Sequence, residues 1–126
     1  DLAPTLVDVA NARAGRRMDG VSLLPTIRNR RKHPRRAIQL EALDPLFRDP
    51  VPVNQWDRPY SGVRTDRYTY VVWTETGEKE LYDRRRDPHQ LTNVAGTSAY
   101  ARVEARLARK LRQLDGCKGA ACNVRP

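Results

Sequence analysis

The chain's two cysteines, Cys117 and Cys122, are separated by Lys118-Gly119-Ala120-Ala121. A four-residue spacer of small residues lets the two thiols meet as a disulfide, which in the chain-entropy picture stabilises the tail by about 2 kcal/mol. Metal ligation is the other chemistry open to closely spaced thiols. It needs further ligands, and the two histidines, His33 and His89, stand far off in sequence without ligand spacing. A disulfide would imply an oxidising, extracytoplasmic compartment.

A second chemistry is charge. Arg28-Asn29-Arg30-Arg31-Lys32-His33-Pro34-Arg35-Arg36 holds six Lys/Arg and no acid, which suits a phosphate or sulfate patch and equally a solvated linker. Trp56 and Arg58 lie in a proline-dense stretch, where they are candidates for substrate contact, with a Trp filling a hydrophobic gap as the competing role. Catalysis has no visible constellation: there is no Gly-rich phosphate loop, nucleophile elbow or paired-His motif, and no base points to Ser22, Ser61 or Ser98. Asp19, Asp66, Asp83 and Asp87 sit beside Gly, Arg or Pro, where turn and capping roles account for them.

The elements that must carry these residues follow from periodicity. Residues 1–11 read as a helix that Asp1 can cap, with Pro4 in its first turn and Leu2, Leu6 and Val9 at helical spacing. It is apolar on nearly every side, as a helix inside a larger body would be. Val21-Ser22-Leu23-Leu24-Pro25 reads as a buried tether after a Met18-Asp19-Gly20 turn. Residues 36–42 alternate with period two, a half-buried strand with Ile38, Leu40 and Ala42 on one face. Pro45, Pro50, Pro52 and Pro59 make residues 43–60 an ordered loop. Two strands separated by Asp66 follow, then a Gly77 turn and a strand ending at Asp83. A last helix begins at Thr97 or Ser98, with Tyr100, Val103, Leu107, Leu111 and Leu114 in one stripe and Arg102, Arg106, Arg109 and Arg112 away from it. The fold class is therefore α+β: a four-stranded antiparallel sheet with a C-terminal amphipathic helix packed on it.

Composition bounds the whole. The 126 residues carry 24 Lys+Arg against 15 Asp+Glu, a net charge of +9, and all but Lys32, Lys79, Lys110 and Lys118 of the basic residues are arginine. An Arg-favouring genome accounts for that bias, although the resulting field attracts polyanions. The hydrophobic share of 39% lies under the usual ~45–50%, so the core is lean. No apolar run approaches the ~18 residues of a membrane span, and the patterned aromatic and aliphatic segments exclude a disordered basic tail. The chain opens Asp1-Leu2-Ala3-Pro4, without Met or targeting peptide, and is expected to be a segment of a longer or processed protein.

Four blocks then resemble one family in series. Asp1-Leu2-Ala3-Pro4-Thr5-Leu6-Val7-Asp8-Val9-Ala10 and Met18-Asp19-Gly20-Val21-Ser22-Leu23-Leu24-Pro25 resemble the segment closing the catalytic domain of sulfatases, in the alkaline-phosphatase-like superfamily. Tyr60 through Tyr70, then Glu80-Leu81-Tyr82-Asp83 and Asp87-Pro88 through Thr92-Asn93-Val94, are similar to that family's C-terminal signature. Gln90 and Val94 stand where the family often has Glu and Leu. The terminal cysteine pair is similar to the ending of the glucosamine-sulfatase branch.

The resemblance implies that residues 1–34 are the closing segment and linker of an α/β catalytic domain, a helical and loop remnant, and that residues 35–126 are the small C-terminal subdomain walling the substrate cleft. It also implies sulfate-ester hydrolysis by a formylglycine made from Cys or Ser beside a calcium ion. Neither Cys117-Lys118-Gly119 nor Cys122-Asn123-Val124 fits that motif, so no catalytic or metal residue carries over and this chain binds no cofactor by itself. The implied partners are the upstream catalytic domain and a sulfated small molecule or glycan, in a secreted or periplasmic setting. On this reading Arg64 joins Trp56 and Arg58 as a substrate contact, through forked hydrogen bonds to a sulfated or carboxylated sugar, with a salt bridge inside the subdomain as its competing role. The alternative function is a free-standing basic module binding polyanions such as sulfated glycans or nucleic acid.

Overall fold

Segments rich in β-branched and aromatic residues form the sheet, as such side chains suit a pleated, partly buried surface. In the computed structural model, which describes residues 1–29, 36–42 and 59–125, β1 (Ile38–Ala42), β2 (Tyr60–Arg64), β3 (Tyr68–Trp73) and β4 (Lys79–Asp83) pair antiparallel in the order β1-β2-β3-β4. Trp56, Arg58 and residues 30–35 of the basic run lie outside the described residues. By contact the chain divides into two compact units, one made of Ile38–Leu111 and the other of Asp1–Ala37 with Arg112–Pro126.

In the Ile38–Leu111 unit the register aligns Gln39, Val63, Tyr70 and Leu81 across one face. Val63, Tyr70 and Leu81 are at most 2% exposed, and the fourth side chain buried as deeply is Leu107 of α3 (Ala101–Leu114). Burying such side chains is worth ~1.5–3 kcal/mol each. Polar contacts fix α3 on this face: Lys79 pairs with Glu104 at 3.1 Å, the Tyr100 hydroxyl donates to Asp83 Oδ2 at 3.3 Å, and the Arg106 guanidinium stands 5.9 Å from the Tyr68 ring. The helix is entered through a single 3₁₀ turn, Ser98–Tyr100, and Thr97 caps nothing with its side chain; its hydroxyl donates to the Val94 carbonyl instead.

The free edge of β4 is closed by a side chain. Asn93 Oδ1 accepts the Leu81 N–H at 3.0 Å while Asn93 Nδ2 donates to the Lys79 carbonyl at 3.0 Å, so one amide imitates the peptide of a fifth strand. The Val94 N–H continues the ladder to the Leu81 carbonyl. Covering an edge in this way removes a template for unwanted strand pairing.

The other unit is organised by polar groups. α1 (Leu2–Val9) is followed by one turn of helix, α2 (Leu24–Arg28), in the region expected to be a simple tether, with Pro25 in its first turn, where no N–H is missed. The buried Thr5 hydroxyl donates to the Asp1 carbonyl and accepts the Leu23 N–H at 2.9 Å, and Ser22 Oγ donates to Asp8 Oδ2 at 2.6 Å. Asp1 stands at the N-cap position without making the cap bond; its carboxylate accepts the Val21 N–H and pairs with Arg36. Asn11, at φ +48°, ends α1. Leu2, Leu6 and Val9 remain 61–76% exposed as one stripe. The tail returns to this segment: Cys117 and Cys122 form a disulfide, the Gly119 N–H reaches Asp19 Oδ1, and the Ala37 N–H reaches the Val124 carbonyl.

Candidate functional site

Arg64 ends β2 on the sheet face opposite α3, in register with Ile38 and Thr69. It is exposed, and no ion pair among the described residues includes it. Two residues earlier, Gly62 has no room for a side chain, because a Cβ would lie 2.7 Å from the Tyr70 carbonyl oxygen. Across the same face Tyr60 and Trp73 meet edge to face at 5.5 Å. Trp73 Nε1 donates to Glu80 Oε1 and the Tyr82 hydroxyl donates to Glu80 Oε2, each at 2.8 Å. Both Glu80 oxygens are thus occupied. Burial first, and then the bond to Glu80, push the Tyr82 phenol up to about 12, so it stays a hydrogen-bond donor at any physiological pH. This face can orient a polar ligand, and among the described residues its carboxylate, Glu80, is already engaged through both oxygens.

A second cluster surrounds Asp83. Its carboxylate, 3% exposed, takes Arg67 Nε at 2.9 Å and the second Arg67 nitrogen at 2.6 Å, with the Arg85 N–H and Tyr100 hydroxyl as further donors. The Arg67 fork holds the Asp83 carboxyl below the usual range against the opposing cost of burial. Sequence reasoning assigned Asp83 to a turn; its bond to the Arg85 N–H is of that kind, but the long-range pair with Arg67 has no local signal. Asp87 does serve its own turn, accepting the Thr92 N–H at 2.8 Å.

Neither cluster suits the cofactors of sulfate-ester chemistry. Among the described residues no three His, Cys, Asp or Glu side chains converge as a metal site. Both cysteines are consumed in one disulfide, so neither is open to conversion to formylglycine.

The four-stranded antiparallel meander followed by a C-terminal helix is the architecture of sulfatase C-terminal subdomains. Residues 1–116 match the family model described as N-sulphoglucosamine sulphohydrolase, C-terminal, and the chain belongs to that family. Among curated proteins it is 30% identical over 112 residues to Delta 4,5-hexuronate-2-O-sulfatase of Bacteroides thetaiotaomicron, a match covering 83% of this chain and 21% of that protein. Among solved structures it is similar to a protein in complex with its substrate D-glucosamine-2-N,6-O-disulfate, with a TM-score of 0.78, 26% identity, and coverage of 92% of this chain and 23% of the other. It is also similar to the phosphonate monoester hydrolase of Agrobacterium radiobacter, with a TM-score of 0.66, 27% identity, and coverage of 92% and 24%. The chain thus spans about a fifth of the curated relative's length.

Proposed function

We propose that this chain is the C-terminal part of an extracytoplasmic sulfatase, secreted or periplasmic, whose upstream domain hydrolyses sulfate esters with formylglycine and calcium. Residues 1–34 then close that catalytic domain, and residues 35–126 form the small subdomain beside the substrate cleft. The observation that carries the reading is the family match over residues 1–116. The exposed apolar stripe of Leu2, Leu6 and Val9 supports a docked α1. The disulfide supports the compartment. No helix among the described residues is long and apolar enough to cross a membrane.

The substrate is a sulfated sugar, met in part by Trp56, Arg58 and Arg64. An arylsulfatase-type assay tests the division of labour. The complete protein should release sulfate from an aryl sulfate with calcium present, and the 126-residue chain alone should not; release by the chain alone would refute the assignment. The phosphonate monoester hydrolase likeness supports a second reading, since the same subdomain accompanies that chemistry. Offering the complete protein an aryl sulfate and an aryl phosphonate side by side decides between them by which product accumulates.

A further inference from the structure

The contacts around Asp83 gather more positive charge than they neutralise. From Arg106 they run through the Tyr68 ring to Arg67, 4.9 Å from the same ring, then through Asp83 to the Tyr100 hydroxyl and on to Arg86 at 3.4 Å. Arg84 reaches the Thr65 and Asp66 carbonyls at 3.4 and 3.5 Å, and Arg85 is exposed between them in sequence. Among the described residues, Asp66, Asp83 and Asp87 are the acids beside these arginines in sequence or contact. Asp83 is saturated by Arg67, and Asp87 is engaged with backbone N–H groups of its own turn. Among the described residues Arg84, Arg85, Arg86 and Arg106 take part in no ion pair.

These guanidiniums are oriented yet unspent. Arg84 rests on two carbonyls, Arg86 on a phenol and Arg106 beside a ring, contacts that position each fork while leaving most of its five donors free. Pre-positioned donors of this kind lower the ordering cost of binding an anion. The acids Glu75 and Glu78 lie in the β3–β4 turn, at the opposite end of β3 and β4 from Arg67 and Arg84, so the charge of this unit is polarised along the strands.

We propose that Arg84, Arg85, Arg86 and Arg106 form a binding surface for the sulfate groups of a polymeric sulfated glycan. Single-stranded nucleic acid is the weaker fit, because its capture relies on open aromatic platforms. Here Tyr68 is only 7% exposed and the Tyr100 hydroxyl is engaged. The choice of sulfate over phosphate rests on the sulfatase reading; the surface itself does not.

The test measures binding of the full chain to heparin against salt. Arg85→Gln/Arg86→Gln/Arg106→Gln should weaken binding by at least about tenfold and flatten the salt slope by about one per cation removed. A charge-matched control, Arg30→Gln/Arg31→Gln/Arg35→Gln, should change affinity less than about threefold. Equal or larger loss in the control would overturn the proposal, as would undiminished binding to desulfated heparin. Duplex DNA bound as tightly as heparin through the same arginines would assign the surface to nucleic acid and overturn it too. Arg85→Glu, at an exposed side chain without contacts, should show the same loss while circular dichroism confirms the fold. Heparin binding by the surface in a complete protein that leaves sulfate esters intact would sink the sulfatase reading and spare this one. Sulfate release with heparin ignored would do the reverse.

Discussion

Replacing Asn93 by alanine should be the most damaging exposed substitution in the Ile38–Leu111 unit. Its amide makes three bonds: it accepts the N–H groups of Leu81 (3.0 Å) and Ala95 (2.9 Å) and donates to the Lys79 carbonyl (3.0 Å). A neutral bond nets ~0.5–1.5 kcal/mol, and a buried donor left without a partner costs ~1–3. Water can replace Asn93 at the exposed Ala95 and Lys79 groups, so these weigh at the low end. Leu81 is fully buried, and its N–H is the group that pays in full. The expected loss is about 2 kcal/mol, read as a lower urea midpoint at unchanged slope. Thr92→Ala is the control: the Thr92 contact to Asp87 uses its backbone N–H, so this change should stay within about 0.5 kcal/mol. If Asn93→Ala costs under about 0.5 kcal/mol, or Thr92→Ala costs as much, the edge-clamp account is wrong.

Gly62→Ala must push a methyl against the Tyr70 carbonyl and should cost ~1–3 kcal/mol in urea unfolding. Intact mass with and without reductant should differ by two hydrogens, and Cys117→Ser/Cys122→Ser should cost about 2 kcal/mol; two thiols alkylated without reductant would refute the bond. The Asp83, Asp87 and Glu104 carboxyls are all held below their ordinary values, chiefly by bonds to Arg67, to the Thr92 N–H and to the Gly96 N–H respectively. Such groups bind protons more readily in the unfolded chain, so their stabilisation is present above their unfolded values and is lost as pH falls through the folded ones. Urea midpoints should decline from about pH 5 downward, and less so in Asp83→Asn. One tyrosine should ionise near pH 12 by absorbance, a step that Tyr82→Phe removes.

The parts of this fold that were legible are those where local pattern alone decides. Alternation in residues 36–42 locates β1, β-branched and aromatic density in residues 67–74 locates β3, and the stripe ending at Leu107 and Leu114, 1% and 3% exposed, locates α3. What escaped are residues whose role depends on distant partners. Ile38, placed with Leu40 and Ala42 on an apolar face, is 54% exposed, while Ala37 beside it is 2% exposed because its N–H is drawn to Val124. Asp1 looked like a helix cap and instead bridges Val21 and Arg36. Asp83 looked like a turn residue, since Arg67 stands 16 positions away and no local spacing announces a bidentate pair. Arg64 was put forward by family resemblance alone, whereas Glu80, with both oxygens committed to Trp73 and Tyr82, was visible only once the strands were in register.

The unit that joins Asp1–Ala37 to Arg112–Pro126 is discontinuous in sequence, and this orders events during translation. Asp19, Arg36 and Ala37 leave the ribosome some 80 to 100 residues before Gly119, Asn123 and Val124, their partners. At ~5–20 residues per second that delay is on the order of 10 s. The Ile38–Leu111 unit, contiguous and built on neighbouring hairpins, can form within the interval. Residues 1–37 then meet their tail partners last, when the cysteine ring brings Gly119 to Asp19. Stalling or trimming the nascent chain before residue 117 would leave a folded sheet and helix with residues 1–37 still lacking their partners from the tail.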